Sequence, residues 1–222
     1  TMPDFPFILP ANTPGTAATT RYQDLAQVPF LDVRKYGAIG DGLTHLITAA
    51  DVTANSATWR GTYTAGVTQW DLVGIQEAIY AAYGGPGTAN PDTTGYHGTG
   101  YSYKNQAVWI PPGYYYVNLP IVIRKTQGLK LHGSGRLTTT IHQTSVDKPV
   151  LRTNSLSYAV IADIHFKAGA ANSGAMLELN YTKLGTDPDT GLSGTDYSAN
   201  KVQQISFYDC LFDSGVDGSG NA

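Results

Sequence analysis

Three side chains that can carry out acid–base chemistry lie on strand-like segments in the second half of the chain: His165, Glu178 and Asp213. Apolar residues around them alternate with a period of two, so that Ile164 and Phe166 face a core and His165 faces outward. The same alternation places Glu178 and Asp213 outward. An imidazole and two carboxylates on one surface can transfer protons, with Glu178 as the general acid. The alternative interpretation is an ordinary solvated face.

A repeated segment contains a second pair of carboxylates. Residues 161–169 and 207–215 share the pattern apolar, x, Asp, apolar, x, Phe, x, small, Gly, at an offset of 46 residues from Ile161 to Phe207. This repeat aligns Asp163 with Asp209, and Gly133 takes the equivalent position one step earlier. Asp side chains hydrogen-bond to their own turn backbone, so we expect a ladder of bends here and not a catalytic carboxylate pair.

The spacing of short apolar segments predicts a coiled β-structure. Such segments follow one another from Val108 to Phe212 with turn residues between them. When the Gly- and Thr-rich insertion 185–200 is left out, the repeat is about 30 residues, a length typical of solenoids. We therefore expect an all-β fold of about four coils, each adding one strand per face at a rise of about 4.8 Å.

One amphipathic segment is expected to cap this solenoid. The apolar stripe that includes Leu72, Ile75 and Ile79 predicts a single helix over 71–83, with Asp71 as its N-cap and a Gly-Gly-Pro cluster at its end. Because the strand edges of a first coil invite aggregation, the helix would cover them. No comparable cap follows the last strand, so we expect further chain or a partner subunit to cover that end.

Several aromatic residues are candidates for carbohydrate binding, because Tyr and Trp rings stack on the apolar faces of sugars. Two of them belong to or border an insertion before the helix, and three belong to a Gly-rich loop after it. The candidates are Trp59, Trp70, Tyr96, Tyr101 and Tyr103. The alternative role for these rings is packing of the helix and the loop onto the strands.

Metal and cofactor sites are not strongly indicated. Asp187, Asp189 and Asp196 share one loop and could hold calcium, but their spacing lacks the EF-hand pattern, and the alternative interpretation is a solvated loop. We expect no other cofactor. The single cysteine, Cys210, excludes an internal disulfide framework and a cysteine zinc cage, and the alternation places its thiol in the core.

Composition excludes several classes of protein. Only 14% of the 222 residues are charged and the formal net charge is −3, so no basic field attracts nucleic acid. No apolar run reaches the length of a membrane span, and the N-terminus does not have the pattern of a secretory leader. We expect an extended N-terminal arm over 1–30, which either packs on a neighbouring subunit or is a loose leader, and one β-domain over 31–222.

Four motifs in order resemble a known superfamily. They are VRKYGAIGDG at 33–42, GIQEAI at 74–79, VWIPPGYYYV at 108–117 and LKLHGSG at 129–135. Together they resemble the opening motifs of the pectate-lyase-like superfamily, over about residues 30–166. The resemblance implies a right-handed parallel β-helix with an N-terminal capping α-helix, of which this chain would hold the first coils.

The superfamily includes pectate lyases, polygalacturonases and phage tailspikes. The resemblance therefore implies the N-terminal part of a polysaccharide-binding and -degrading protein, a glycoside hydrolase or polysaccharide lyase acting outside a cell or on a virion surface, with a homotrimer as one expected assembly. Two departures stand out: residues 45–69 intervene before the helix, and the polygalacturonase catalytic set is missing. This leaves open a non-catalytic spike, an adhesin or an assembly module.

Overall fold

The computed structural model describes residues 30–83, 107–146, 148–169, 176–179, 185–186, 193–194 and 204–213. This part of the chain contains a 3₁₀ helix (Val33–Tyr36), two α-helices, α1 (Ala49–Asn55) and α2 (Trp70–Tyr83), and fourteen strands. The strands are β1 (Leu31–Asp32), β2 (Ala107–Trp109), β3 (Gly113–Val117), β4 (Ile121–Gln127), β5 (Lys130–His132), β6 (Thr139–Gln143), β7 (Leu151–Ser157), β8 (Val160–Ala162), β9 (His165–Lys167), β10 (Leu177–Glu178), β11 (Gly185–Thr186), β12 (Ser193–Gly194), β13 (Ser206–Tyr208) and β14 (Leu211–Asp213). Apart from Phe30, the predicted arm over 1–30 lies outside the described residues.

Three parallel sheets make up the body of the molecule. Their strand orders are β1-β2-β5-β8-β13, β3-β6-β9-β14 and β4-β7-β10, while β11 and β12 form a small antiparallel pair. From β2 to β9 the chain contributes one strand to each of the three sheets in turn and then returns to the first sheet. We call each such round a coil. The described fold is thus β-rich and parallel, and it is compatible with the solenoid that the sequence predicts.

The strand register agrees with the repeat seen in the sequence. Leu131 pairs with Ile161, and Ile161 pairs with Phe207, which is the 46-residue offset. On the four-stranded sheet, Phe166 pairs with Phe212 by the same offset. Equivalent apolar residues of successive coils therefore stack on one another.

The core lies between the three sheets and is lined by aligned apolar residues. Tyr115, Ile141 and Phe166 are neighbours on one inner row and are fully buried. The Phe166 ring stacks on Phe212, with centroids 5.5 Å apart and planes 9° from parallel. Phe212 is nevertheless 43% exposed, because no described strand follows β14 on that sheet.

Each of two bends between β-strands contains an aspartate. Asp163 follows β8 with φ of 62°, and Asp209 follows β13 with φ of 45°, a left-handed conformation that Asp tolerates better than most residues. Gly133 follows β5 at the equivalent place, where an added Cβ would lie 2.0 Å from the carbonyl oxygen of Asp163. A side chain at this position would therefore collide with the backbone of the next coil.

Helix α2 covers one side of the sheets, but Asp71 does not cap it as the sequence predicted. The helix begins at Trp70, and the buried Asp71 carboxylate instead accepts hydrogen bonds from the backbone N–H groups of Ile39, Gly40 and Tyr116 at 2.7, 2.9 and 2.8 Å. It ties the segment after the 3₁₀ helix to strand β3. The capping prediction failed because propensity at a helix start does not reveal a tertiary partner.

Gln76 of α2 pairs with the backbone of β4 as a neighbouring strand would. Its Nε2 donates to the Val122 carbonyl and its Oε1 accepts from the Val122 N–H, both at 2.8 Å. Close to it, Gly74 lies against Ala38, whose backbone nitrogen would be 2.1 Å from an added Cβ. The helix therefore sits close to β4 and to the segment after the 3₁₀ helix, and it satisfies two backbone groups on the edge of β4 that would otherwise be open.

The prediction of a single helix is wrong, because α1 forms a second helix within the insertion at 45–69. Its N-terminus is a capping box, in which Thr48 and Asp51 exchange hydrogen bonds between side chain and backbone. None of its residues is buried. A helix without an apolar stripe has no 3.6-residue hydrophobic pattern, so the periodicity could not reveal it.

Candidate functional site

The outward positions of the four-stranded sheet bring several titratable and aromatic side chains together. The strand register defines two outer rows, one on each side of the buried row. We call this surface the histidine face, and its members are Tyr114, Thr140, His165 and Leu211 in one row and Tyr116, His142, Lys167 and Asp213 in the other.

His142 lies in an aromatic setting on this face. The Tyr114 hydroxyl is 3.1 Å from its Nδ1, and the Tyr116 ring centroid is 5.2 Å from that of the imidazole. The two tyrosine rings contact each other edge to face at 5.4 Å. The three rings thus form one continuous surface with a hydroxyl and an imidazole nitrogen in direct contact.

His165 is held one strand further along the face. The Thr140 hydroxyl lies 3.4 Å from its Nδ1, and the Asp213 Oδ2 lies 3.8 Å from its Nε2. The Nε2 atom is shielded from solvent and has no hydrogen-bond partner within the described residues. A small movement of either side chain would bring this nitrogen and the carboxylate into contact.

Both imidazoles favour the neutral form at neutral pH. Burial lowers the pKa of His142, and the nearby Lys167 charge lowers it further. Burial also lowers the pKa of His165, against the opposing effect of Asp213. A neutral imidazole can accept a proton, so both groups are suited to act as general bases.

The histidine face has one carboxylate, Asp213, and Asp41 beyond its first strand lies too far away to form a pair with it. Within the described residues, Asp213 is at one end, and Asp41 bridges to Tyr114 at the other end. Four strand spacings of about 4.8 Å separate them, or about 19 Å. Carboxylate pairs that hydrolyse glycosidic bonds lie about 5–10 Å apart. Asp41 is moreover bound to His45 Nε2 at 2.9 Å.

Of the three predicted catalytic residues, the structure brings His165 and Asp213 together but not Glu178. Glu178 lies on β10 in a different sheet, where the Nε of the largely buried Arg152 donates to its Oε2 at 2.6 Å. This ion pair joins β7 to β10. Asp209, at its bend, forms an ion pair with Arg136 at 3.2 Å.

The insertion at 45–69 forms a second candidate site with the start of α2. Trp59 and Trp70 contact each other edge to face at 5.8 Å. They line a pocket of about 380 Å³. We call it the tryptophan pocket, and its lining residues are Lys35, Tyr36, Gly37, Asn55, Thr58, Trp59, Arg60, Trp70 and Glu77. Two of the five predicted carbohydrate-binding residues therefore share one cavity.

The other predicted carbohydrate- and calcium-binding residues are not among those that the structure describes. Tyr96, Tyr101 and Tyr103, and the calcium candidates Asp187, Asp189 and Asp196, lie outside the described residues. In the part of the chain that is described, no group of three His, Cys, Asp or Glu side chains could hold a metal ion. The Cys210 thiol is half-buried at the edge of the core, and burial raises its pKa.

Tyr114 and Tyr116 belong to the aromatic residues near the first coil that the sequence offers for sugar stacking, but the sequence analysis did not identify His142 or place it beside them. Their strands carried a usable signal, because each alternates around a buried residue, Ile141 or Tyr115. The missing information was the register between the strands. On the four-stranded sheet Tyr115 pairs with Ile141 after 26 residues and Ile141 with Phe166 after 25, but Phe166 pairs with Phe212 after 46, so no fixed period aligns the outer rows.

Comparison with protein-family models, curated proteins and solved structures gave no match for this chain. Within the described ranges, no helix is long and apolar enough to span a membrane.

Proposed function

We propose that this chain is the N-terminal part of a polysaccharide-binding and -degrading protein with a right-handed parallel β-helix of the pectate-lyase-like type. It would act outside a cell or on a virion surface. The observation that carries the proposal is the histidine face, which places two tyrosine rings, two neutral imidazoles, a lysine and a carboxylate on neighbouring strands. The tyrosine rings offer sugar-stacking surfaces, and the polar groups offer hydrogen bonds.

Among the cleavage reactions, this face favours β-elimination on an acidic polysaccharide. Elimination needs a base rather than two carboxylates. The imidazoles of His142 and His165 can act as that base, because their lowered pKa values keep them neutral. An imidazole would take the proton from the carbon next to the sugar carboxyl group, and the electron pair would form a carbon–carbon double bond. The glycosidic oxygen leaves and takes a proton from solvent. Lys167 lies beside both imidazoles and would stabilise the negative charge that develops.

The test is incubation of the protein with a panel of acidic and neutral capsular and plant polysaccharides. We expect absorbance from unsaturated sugars with at least one acidic polymer, and a loss of about 100-fold or more in rate for His165→Gln or His142→Gln if that imidazole is the base. His132→Gln is the matched control, because His132 lies on the five-stranded sheet. Absence of product from every polymer, or full activity in both variants, would contradict the elimination reaction.

One observation favours a second candidate, a non-catalytic spike or assembly module. At the last described strands, Tyr208, Leu211 and Phe212 are 60%, 37% and 43% exposed. These apolar groups suit stacking against further strands or another subunit. The polysaccharide assay and sedimentation together would distinguish the roles: an oligomer that binds polysaccharide without cleaving it supports the second candidate, and cleavage by either a monomer or a trimer supports the first.

A further inference from the structure

The tryptophan pocket is assembled from three parts of the chain that pack tightly together. The 3₁₀ helix contributes Tyr36, the insertion contributes Trp59, and α2 contributes Trp70. Gly37 has φ of 106°, and an added Cβ would lie 2.8 Å from the Trp70 ring, so the ring lies directly on the backbone. Trp59 is also held edge to face against Tyr63 at 5.2 Å. The aromatic walls are therefore fixed before any ligand arrives.

The one carboxylate among the lining residues, Glu77, is already occupied. Its side chain is buried, and it accepts hydrogen bonds from the Arg60 and Gly61 backbone N–H groups at 2.9 and 2.7 Å. The Tyr63 hydroxyl donates to it at 2.8 Å, and burial raises the pKa of that hydroxyl well above its usual value. Glu77 thus anchors the loop after α1 to α2, and its oxygens are not available to bind a cationic ligand.

Two cations at the pocket remain available. Lys35 and Arg60 line it and are both exposed. The structure gives neither side chain an ion pair with any described residue, although Arg34 beside Lys35 is paired with Asp32 at 3.1 Å. Asn55 and Thr58 add polar groups to the wall. The charge that the pocket offers to a ligand is therefore positive.

We propose that the tryptophan pocket binds a single six-membered ring carrying a carboxylate, either a sugar acid or an aromatic acid. The volume of about 380 Å³ lies near the lower end of small-molecule sites and suits one ring. The ring would pack on Trp59 and Trp70, and the carboxylate would pair with Arg60 and Lys35. This site lies between the insertion, the 3₁₀ helix and α2 and shares no residue with the histidine face, and the inference goes beyond the proposed function without depending on cleavage.

Tryptophan fluorescence can measure this binding, because the chain has only three tryptophans. The third, Trp109, lies on β2, where its Nε1 donates to the Ser134 hydroxyl, and Trp109→Phe leaves both remaining indoles in the pocket. The W109F protein is titrated with D-glucuronate, benzoate, D-glucose, benzyl alcohol and acetate. We expect saturable quenching by glucuronate or benzoate with a Kd on the order of 1 mM. The neutral rings and acetate should bind at least about tenfold more weakly.

Charge variants then locate the carboxylate. Arg60→Gln and Lys35→Gln, each in the W109F background, should weaken binding of the acid by about tenfold. Both residues are exposed, so the variants are expected to fold. Arg136→Gln is the matched control, since it removes one exposed positive charge near Asp209, outside the pocket, and should leave binding unchanged.

The inference is overturned if no probe gives saturable quenching, if glucose or acetate binds as well as the acids, or if neither charge variant weakens binding. A difference between glucuronate and benzoate identifies which kind of ring the pocket takes. The polysaccharide assay has a separate readout. A protein that cleaves a polymer without responding to the acids refutes the pocket alone, and the reverse result refutes the elimination reaction alone.

Discussion

The two imidazoles of the histidine face share a lowered pKa but differ in their contacts. His142 is bound to a tyrosine hydroxyl and covered by a second tyrosine ring, whereas His165 has a threonine hydroxyl on one side and a carboxylate 3.8 Å away on the other. In both, burial disfavours the charged form. The same burial therefore affects proton transfer and the stability of the folded chain.

Stability should decrease on mild acidification. Because the folded-state pKa values of His142 and His165 are lowered, the unfolded chain binds more protons as pH falls through about 6.5, and the free energy of unfolding decreases. Thermal unfolding at pH 7.5 and 5.5 measures this loss. The double variant His142→Gln, His165→Gln should show a smaller decrease in stability between the two pH values than the parent protein. His132→Gln should show the same decrease as the parent protein. An equal loss in the double variant and the parent would contradict the assignment.

At the scale of the element, strands were predictable and partner contacts were not. Alternation around Ile141 and Phe166 is a local pattern with period two, so β6 and β9 could be identified from the sequence. The partners of Asp71 are 31 to 45 residues away, and no local pattern encodes them. The same reasoning explains the site: the outward residues of each strand were predictable, but their alignment depends on turn lengths that vary from coil to coil.

The stacked phenylalanines of β9 and β14 allow a matched test of packing. Phe166 is fully buried between neighbouring strands, so Phe166→Ala should lower the free energy of unfolding by about 3–5 kcal/mol. Phe212 is 43% exposed, and Phe212→Ala should lower it by about 1–2 kcal/mol. Urea denaturation followed by circular dichroism measures both. Equal losses would show that Phe212 is as well covered as Phe166 in solution.

At the scale of the whole molecule, strands of successive coils contact mainly their neighbours. Contacts within each parallel sheet join adjacent coils, and α2 contacts the first strands of the series. Stability in such an arrangement is close to a sum of coil and interface contributions. The parallel, β-rich character followed from short strands and a repeat near 30 residues, whereas the helix inside the insertion left no apolar pattern in the sequence.

Shortening the chain tests this additivity. A protein ending at Gly169 keeps β1 to β9 and loses the last described coil. We expect it to retain strand-type circular dichroism, to melt at a lower temperature, and to self-associate more because the edges of β8 and β9 become exposed. Complete loss of structure in the shortened protein would instead show that all coils fold as one cooperative unit.

The pairing of Gln76 with the Val122 backbone closes the β4 edge of its sheet to a further strand. The helix occupies hydrogen-bonding groups of β4 that another strand would need, while β13 and β14 are the last described strands of their sheets. Because β4 precedes β13 and β14 in the chain, the ribosome synthesises the edge that α2 covers before it synthesises the opposite edge. We therefore expect later strands to add at the opposite edge, and a second molecule cannot join at the Gln76 contact without displacing the helix.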